Sequence, residues 1–429
     1  MQAAPQFQSE FLRTFAARGA YYACSDPWQE LDNQFQKERV TAYIGFDCTA
    51  KSMHIGNLVQ LMTLRRLQQA GHRPILLMGG GTTKLGDPSG KDDVRKILST
   101  EQIDENKKSM VAGIRHLLKF GDGPSDAIMV DNADWLDQLD YIPFLRDVGR
   151  HFSVNRMLTM ESVKIRLDRE QPLSFLEFNY MVCQAYDFVE LYKRFGCHLQ
   201  TCGSDQWGNV VSGIDLGRRM ESAQLFGLST PLITTASGAK MGKSVSGAVW
   251  LNQDMLSVYD YWQFWRNTED GDVGRFLRLF TDLAEDEIAR LEKLPGAELN
   301  EAKKVLATEA TAILHGREAA EAAAGTARKA FEEGVSAEGL PVVEWSWETG
   351  DVSTGERFPE RTAAALVKGS RLAASLSDAR RKIEEKAIRI NDQLVEKHDK
   401  YYRKGDINPK IGAFKIQYGK KKIVLLKPV

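Results

Sequence analysis

The sequence predicts an α/β fold: a doubly wound parallel sheet within residues 1–255, an all-helical domain over 256–334, a connector over 335–358, and a small basic α+β module over 359–429. Three observations predict it. Between residues 30 and about 235, short strand-like runs (Arg39–Phe46, Ile75–Met78, Ala127–Val130, His198–Thr201) alternate with stretches of helical periodicity, as parallel strands joined by crossover helices require. From about Ser257 to Glu333 the strand-like runs stop and the periodicity is almost wholly helical. Charge is also divided: Arg361–Val429 carries 18 lysines and arginines against 7 aspartates and glutamates, a net +11, so the whole-chain charge of −1 leaves −12 on residues 1–360.

Composition bounds the function class. At 429 residues, 43% hydrophobic and 27% charged, the chain has room for two or three cores. No apolar run approaches the ~18 residues of a membrane span. The N-terminus lacks the apolar core of a secretory signal: Arg13 and Arg18 lie beside Glu10 and the helically spaced Phe7, Phe11, Leu12 and Phe15, an ordinary first helix. A cytoplasmic protein with no membrane partner is expected. Cys24, Cys48, Cys183, Cys197 and Cys202 form no CxxC pair, which argues for reduced thiols and against a zinc site or a disulfide framework.

Taken in order, the run Arg39–Phe46 leads to His54-Ile55-Gly56-Asn57, which opens an amphipathic helix. An imidazole at a helix N-terminus sits where backbone N–H groups and the macrodipole attract phosphate. After Ile75–Met78 comes Gly79-Gly80-Gly81-Thr82-Thr83-Lys84, glycine-rich but without the Gly-Lys-Ser/Thr ending of a nucleotide-hydrolase loop. No GxGxxG dinucleotide fingerprint is present. Beyond His198–Thr201, the segment Lys240-Met241-Gly242-Lys243-Ser244 sets two lysines three apart beside Gly238 and Gly242, suited to neutralising a leaving pyrophosphate. The His54 and Lys240 motifs together describe one ATP site. In the helical stretch, Tyr259, Tyr261, Trp262, Phe264 and Trp265 read as core. In the basic tail, Ser375–Ile383 reads as a short helix leading to a strand, Ala387–Ile390, and a turn at Asn391-Asp392.

Four further segments, Tyr43-Ile44-Gly45-Phe46-Asp47, Gly86-Asp87-Pro88-Ser89-Gly90, Tyr180-x-x-x-Gln184-Ala185-Tyr186-Asp187 and Gly203-Ser204-Asp205-Gln206-Trp207-Gly208-Asn209, occur in the order seen in bacterial tyrosyl-tRNA synthetases. The chain resembles that class I aminoacyl-tRNA synthetase family over essentially its whole length. The resemblance implies a Rossmann-like catalytic domain, a helical anticodon-binding domain and a C-terminal RNA-binding module of a kind also found in a small-subunit ribosomal protein and in pseudouridine synthases. It implies an ATP-dependent ligase that makes tyrosyl-adenylate and transfers tyrosine to the terminal adenosine of tRNA(Tyr), with L-tyrosine, ATP and the tRNA as partners.

By the same resemblance, Tyr43 and Asp187 form the pocket floor that recognises the tyrosine hydroxyl. Asp87, Tyr180 and Gln184 meet the substrate ammonium, and Gln206 holds its carboxyl end. Tyr180, Gln184 and Asp187 are spaced to share one helix face. Asp47, Gly56, Gly203, Asp205 and Lys243 bind the adenylate, while His54, Asn57, Thr49, Lys240, Lys243 and Ser244 stabilise the displacement. Arg380, Arg381, Lys382 and Arg389 are expected on the tRNA. Magnesium is expected to arrive with ATP as substrate, with no tightly bound cofactor and no protein metal site. The family acts as a homodimer, with Trp135–Phe152 an expected part of the interface. Three positions depart from the family's commonest pattern: Asn57 stands where many members have His, Ile44 where a Cys is frequent, and Gly242 where the general class I loop has Ser. A tryptophanyl-type synthetase and a non-catalytic RNA-binding paralogue are the alternatives; the Tyr43/Asp187 pair argues against the first, retention of His54, Lys240 and Lys243 against the second.

Overall fold

The computed structural model describes residues 4–88, 98–238, 241, 243–244, 247–328, 340–346, 350–351, 361–419 and 422–428, with the backbone alone at Ser162, Lys243, Ser244, Gly247, Gly350 and Asp351. They fall into two compact units, Met1–Leu256 with Glu269–Leu299, and Ser257–Thr268 with Asn300–Val429.

The described strands of the first unit's sheet are β1 (Ala23–Cys24), β2 (Thr41–Asp47), β3 (Arg73–Gly79), β4 (Ile128–Asp131), β5 (Cys197–Gly203) and β6 (Phe226–Thr230), in the order β1-β6-β5-β2-β3-β4. β2 to β6 pair in parallel, and β1 closes the edge antiparallel to β6. A parallel sheet covered on both faces needs strands that are apolar throughout, which is why Pro74 to Gly79 are all buried in β3. The chain steps from β2 to β3 and β4, then returns to the other side of β2 for β5 and β6. The strand order therefore reverses between β2 and β5, and doubly wound sheets bind ligands outside the carboxyl ends at such a reversal. Asp47 ends β2 and Gly203 ends β5. Beneath them Tyr43, Ile75, Leu77, Phe188 and Leu191 form one buried cluster with Trp135. Each fully buried side chain of this size contributes about 1.5–3 kcal/mol over its exposed state.

The helical domain expected over 256–334 is divided by the packing. Glu269–Leu299 belongs to the first unit. Guanidinium groups tie it there: Arg18 donates to the carbonyls of Thr281 and Leu283 at 3.0 and 2.7 Å, and buried Arg66 to those of Arg278 and Leu279 at 2.7 Å each. These carbonyls lie at or just beyond the C-terminus of the helix Val273–Phe280, where no intrahelical donor is left for them.

In the second unit the helix Val258–Arg266 buries Tyr259, Tyr261, Trp262 and Trp265, and Trp262 Nε1 donates to Thr308 Oγ1 at 3.1 Å. Its described sheet runs β10 (Gly350–Asp351), β9 (Val342–Ser346), β14 (Lys422–Pro428), β13 (Phe414–Tyr418), β11 (Ile388–Ile390), β12 (Gln393–Leu394). The stretch expected as a connector over 335–358 therefore carries β9 and β10 among its described residues. β9 pairs in parallel with β14 and buries Trp345 in the module's core, so the module reaches back before residue 359. The helix of the tail is Leu376–Glu384, capped by Ser375 Oγ. The turn after β11 is made by Asn391 and Asp392, both at positive φ (49° and 66°), the backbone that Asn and Asp tolerate best among residues with a Cβ.

Candidate active site

The helix Phe175–Phe195 carries three of the expected pocket residues, and both its ends are fixed. Ser174 and Glu177 form a capping box at the start, and Gly196 terminates it in the left-handed region at φ 60°. Asp187 lies at the bottom, 1% exposed. Its Oδ2 accepts from Asn132 Nδ2 at 2.9 Å and its Oδ1 from Trp135 Nε1 at 2.8 Å. Burial pushes this carboxyl up to about 8; the two N–H donors oppose the shift, while Asp47 and Asp131 add to it. Tyr43, also 1% exposed, packs edge-on against Phe188 with ring centroids 5.2 Å apart. Burial first, and then the Asp187 charge, hold its phenol well above the usual tyrosine range, so it remains a donor. The Tyr43 hydroxyl is buried and has no hydrogen-bond partner among the described residues.

At the carboxyl end of β2, Asp47 gathers donors: Thr82 Oγ1 at 2.9 Å on Oδ1 and the Tyr180 hydroxyl at 3.2 Å on Oδ2. Gln206 has a defined amide orientation, because Asn209 Nδ2 donates to its Oε1 at 2.9 Å and its own Nε2 donates to Asp87 Oδ2 at 3.0 Å. Gln184 presents a buried Oε1 with no described partner. Gly203 ends β5 so closely packed that a Cβ there would stand 2.6 Å from Asp205 Oδ1, and Asp205 is exposed in the turn that follows. Thr49 is exposed in the loop after β2. The glycines at 79–81 cradle no phosphate, for the Gly80 and Gly81 N–H groups donate to Asp131 Oδ1 and Asn132 Oδ1 at 3.1 and 2.8 Å.

The helix Ile55–Gln69 is capped by His54 itself. The Gly56 N–H donates to His54 Nδ1 at 3.0 Å, and the His54 N–H donates to Asn57 Oδ1 at 3.1 Å. An Nδ1 that accepts puts the ring N–H on Nε2, and an Asn57 oxygen used on the backbone leaves its Nδ2 as the donor. Asn57 therefore takes over the capping half of the motif in place of the commoner His. The His54 imidazole folds back over Gly56, where a Cβ would lie 2.8 Å from its Cε1. His54 also forms an antiparallel bridge with Trp250, and Ile55 N donates to the Val249 carbonyl at 2.8 Å, so the strand leaving the second motif is joined to the first. Of that second motif, Lys243 and Ser244 form the short strand β7, paired with β8 (Gly247–Ala248); Lys240 and Gly242 lie outside the described residues.

Residues 35–332 match the family described as tRNA synthetases class I (W and Y). The chain belongs to that family. It is similar to the tyrosine–tRNA ligase of Beijerinckia indica, with 59% identity over 98% of this chain and 97% of that protein. Its identity to the tyrosine–tRNA ligase of Bradyrhizobium diazoefficiens is 56%, over 98% of this chain and 99% of that protein. Among solved structures it resembles a C-terminally truncated mitochondrial tyrosyl-tRNA synthetase of Aspergillus nidulans, with a TM-score of 0.69, 28% identity, and coverage of 76% of this chain and 95% of that one.

Sequence reasoning did not single out Asn132, Trp135 or Thr82 in this synthetase site. Asn132 was within reach, since it follows a parallel strand at its carboxyl end, where ligand-binding residues collect. Trp135 was expected at a subunit interface; it is instead 3% exposed and spends its indole N–H on Asp187. In the second unit the expected tRNA residues divide. Arg380, Arg381 and Arg389 are exposed, Arg381 pairing with Asp378 at 2.8 Å and Arg389 donating to the Asp392 carbonyl at 3.0 Å. Lys382 departs from expectation: it is 9% exposed, donates to the Leu372 carbonyl at 2.9 Å and to Asp378 at 2.7 Å, and lies over the Tyr418 ring. Its ammonium is engaged by groups of the module itself.

Proposed function

We infer that the chain is a tyrosine–tRNA ligase. It activates L-tyrosine with ATP to tyrosyl-adenylate and pyrophosphate, then transfers tyrosine to the 3′-terminal adenosine of tRNA(Tyr). The observation that carries the choice of amino acid is the buried Asp187 carboxyl, held by two N–H donors beside a buried tyrosine hydroxyl that lacks a partner among the described residues. Full-length identity to tyrosine–tRNA ligases supports the same reading, and a tryptophanyl or non-catalytic alternative is not favoured.

Roles follow from the chemistry. The substrate hydroxyl donates to Asp187 and accepts from Tyr43; Asp87, Tyr180 and Gln184 face the ammonium, and Gln206 orients the carboxylate. That carboxylate is itself the nucleophile on the α-phosphate, so no side chain need act as base, and catalysis is positioning plus charge stabilisation. His54 donates from Nε2 and Asn57 from Nδ2 to the phosphates. Thr49, Lys240, Lys243 and Ser244 complete the stabilisation, and Asp47, Gly56, Gly203 and Asp205 bind the adenosine part. Magnesium enters as Mg-ATP, a substrate. Arg380, Arg381 and Arg389 meet the tRNA backbone.

A homodimer in the cytoplasm is the working state. Tyr141 and Ile142, 61% and 69% exposed within the stretch 135–152, are apolar surface suited to a second copy. No described helix is long and apolar enough to cross a membrane. The deciding experiment is amino-acid-dependent ATP–pyrophosphate exchange, run with each amino acid and followed by charging of tRNA(Tyr). Exchange with tyrosine alone is the expected result. Exchange with tryptophan, or with no amino acid, defeats the reading.

A further inference from the structure

The root of the second ATP motif is tied down by side chains that no motif contains. Between the end of β6 at Thr230 and the first lysine, the chain passes through Thr234–Ser237. The Ala236 N–H donates to Asp272 Oδ2 at 2.7 Å. The Ser237 N–H and hydroxyl donate to Glu269, at 3.1 Å on Oε2 and 2.7 Å on Oε1. Arg275 Nη2 reaches the Thr234 carbonyl and also Asp272 Oδ1, the latter at 2.6 Å. Four polar groups of a four-residue segment are thus taken by one short stretch, Glu269–Arg275. That stretch is itself fixed, because Arg18 and Arg66 hold the carbonyls at the far end of its helix.

The arrangement is directional. Asp272 is 2% exposed and offers one oxygen to the Ala236 backbone and the other to Arg275, so both carboxylate oxygens are engaged and the group is held in one orientation. At its base the segment is also closed on itself, by Met241 N donating to the Ile233 carbonyl at 3.0 Å and Gly238 N to the Thr235 carbonyl at 2.8 Å. On the return side, Trp250 and Val249 join it to His54 and Ile55. The strand that carries Lys243 is therefore spanned between two anchors, the His54 motif on one side and the Glu269–Arg275 stretch on the other.

We propose that Glu269, Asp272 and Arg275 are positioning residues for the basic segment, fixing the Thr234–Ser237 root so that Lys243 meets the ATP phosphates in the adenylation transition state. The proposal rests on the ligase reading above. All three act through the root, by the bonds given above. A lysine charge stabilises developing phosphate charge in proportion to its placement, and a displacement of about 1 Å costs up to about 100-fold in rate. The root bonds carry no binding energy for tyrosine, whose pocket is built from β2, the Phe175–Phe195 helix and Asn132. Loosening the root should thus lower the rate of the chemical step and leave tyrosine affinity alone, the split that marks an interaction used only in the transition state.

The test uses the full-length chain with Glu269→Ala, Glu269→Gln and Asp272→Asn, measuring single-turnover formation of tyrosyl-adenylate, equilibrium tyrosine binding and Tm. Glu269 is exposed, so its variants should fold whatever becomes of buried Asp272. For Glu269→Ala and Asp272→Asn we expect adenylation slowed about 10- to 100-fold, with tyrosine Kd within about 2-fold of the native chain. Glu269→Gln, which can still accept from the Ser237 N–H, should recover most of the rate. Adenylation within about 2-fold of native in Glu269→Ala overturns the proposal, as does a loss of rate matched by losses of tyrosine affinity and Tm, which marks a merely structural role. A native chain that makes no tyrosyl-adenylate at all overturns the ligase reading instead, so the two failures are told apart.

Discussion

Asp187 combines two demands that conflict in free energy. Recognition of a phenol needs a charged acceptor, yet burial raises the Asp187 carboxyl to about 8 against an ordinary value near ~3.9 in an unfolded chain. Between those two values the folded chain holds a proton that the unfolded chain has released. The group's contribution to stability is therefore fully present below about pH 4 and is lost as pH rises toward 8. On the proposed reading a bound tyrosine reverses the preference, because its hydroxyl donates to the charged form. The tyrosine-induced rise in Tm should be larger at about pH 8.5 than at about pH 6.5, and in Asp187→Asn it should not grow with pH. A native chain whose tyrosine-induced shift is flat or falls over that range would place the recognition elsewhere. Tyr43→Phe is the companion case. It should cost tyrosine kcat/KM about 0.5–1.5 kcal/mol, while the free chain is no less stable, since the hydroxyl removed has no described partner. Thermal unfolding beside steady-state kinetics checks both halves.

At the scale of elements, much of the catalytic unit is legible in the sequence because strand-like runs alternate with helical ones, and β3 in particular is apolar throughout. The runs Ile75–Met78 and His198–Thr201 each sit wholly inside an observed strand, Arg73–Gly79 and Cys197–Gly203. What escapes has a weak local signal. β1 is two residues long, and β9 buries only Trp345 among neighbours rich in Glu and Gly, so its alternation disappears into an apparent connector. Glu269–Leu299 is helical in sequence as in structure; its assignment to the first unit depends on Arg18 and Arg66, 200 residues and more away along the chain, which no periodicity reveals. Motif residues at strand ends were legible through the resemblance, whereas Asn132 and Trp135 act by holding Asp187 and belong to no motif. The His54 helix gives a sharp test at this scale. Gly56→Ala places a Cβ 2.8 Å from the His54 ring, so the imidazole must leave its cap, and adenylation should fall about 10-fold or more while the helix and tyrosine binding persist. Unchanged adenylation would mean that the capping geometry of His54 has no part in the chemistry.

For the whole molecule, the +11 tail beside a −12 body is, on the proposed reading, the part that neutralises tRNA phosphates and releases their counterions, and burial separates the tail's exposed cations from its inward one. Truncation near residue 350 is a poor probe, because it would leave β9 without β14 and cut through a unit that also contains Ser257–Thr268. Point variants separate surface charge from packing. Reversing Arg380 and Arg389 to Glu should leave pyrophosphate exchange intact, weaken tRNA binding, and flatten the dependence of log affinity on log salt by roughly 0.7–0.9 for each phosphate no longer neutralised. Lys382→Met should do the opposite. It removes one of the partners of Asp378 and the donor to the Leu372 carbonyl inside the module, so Tm should fall by several degrees while the salt slope at temperatures below unfolding stays native. Salt titration of tRNA binding with the three proteins side by side decides the matter. If Lys382→Met flattens the slope as much as the arginine reversals, the division between the exposed arginines and the inward lysine is wrong, and the RNA-facing surface of the tail must be redrawn around Lys382.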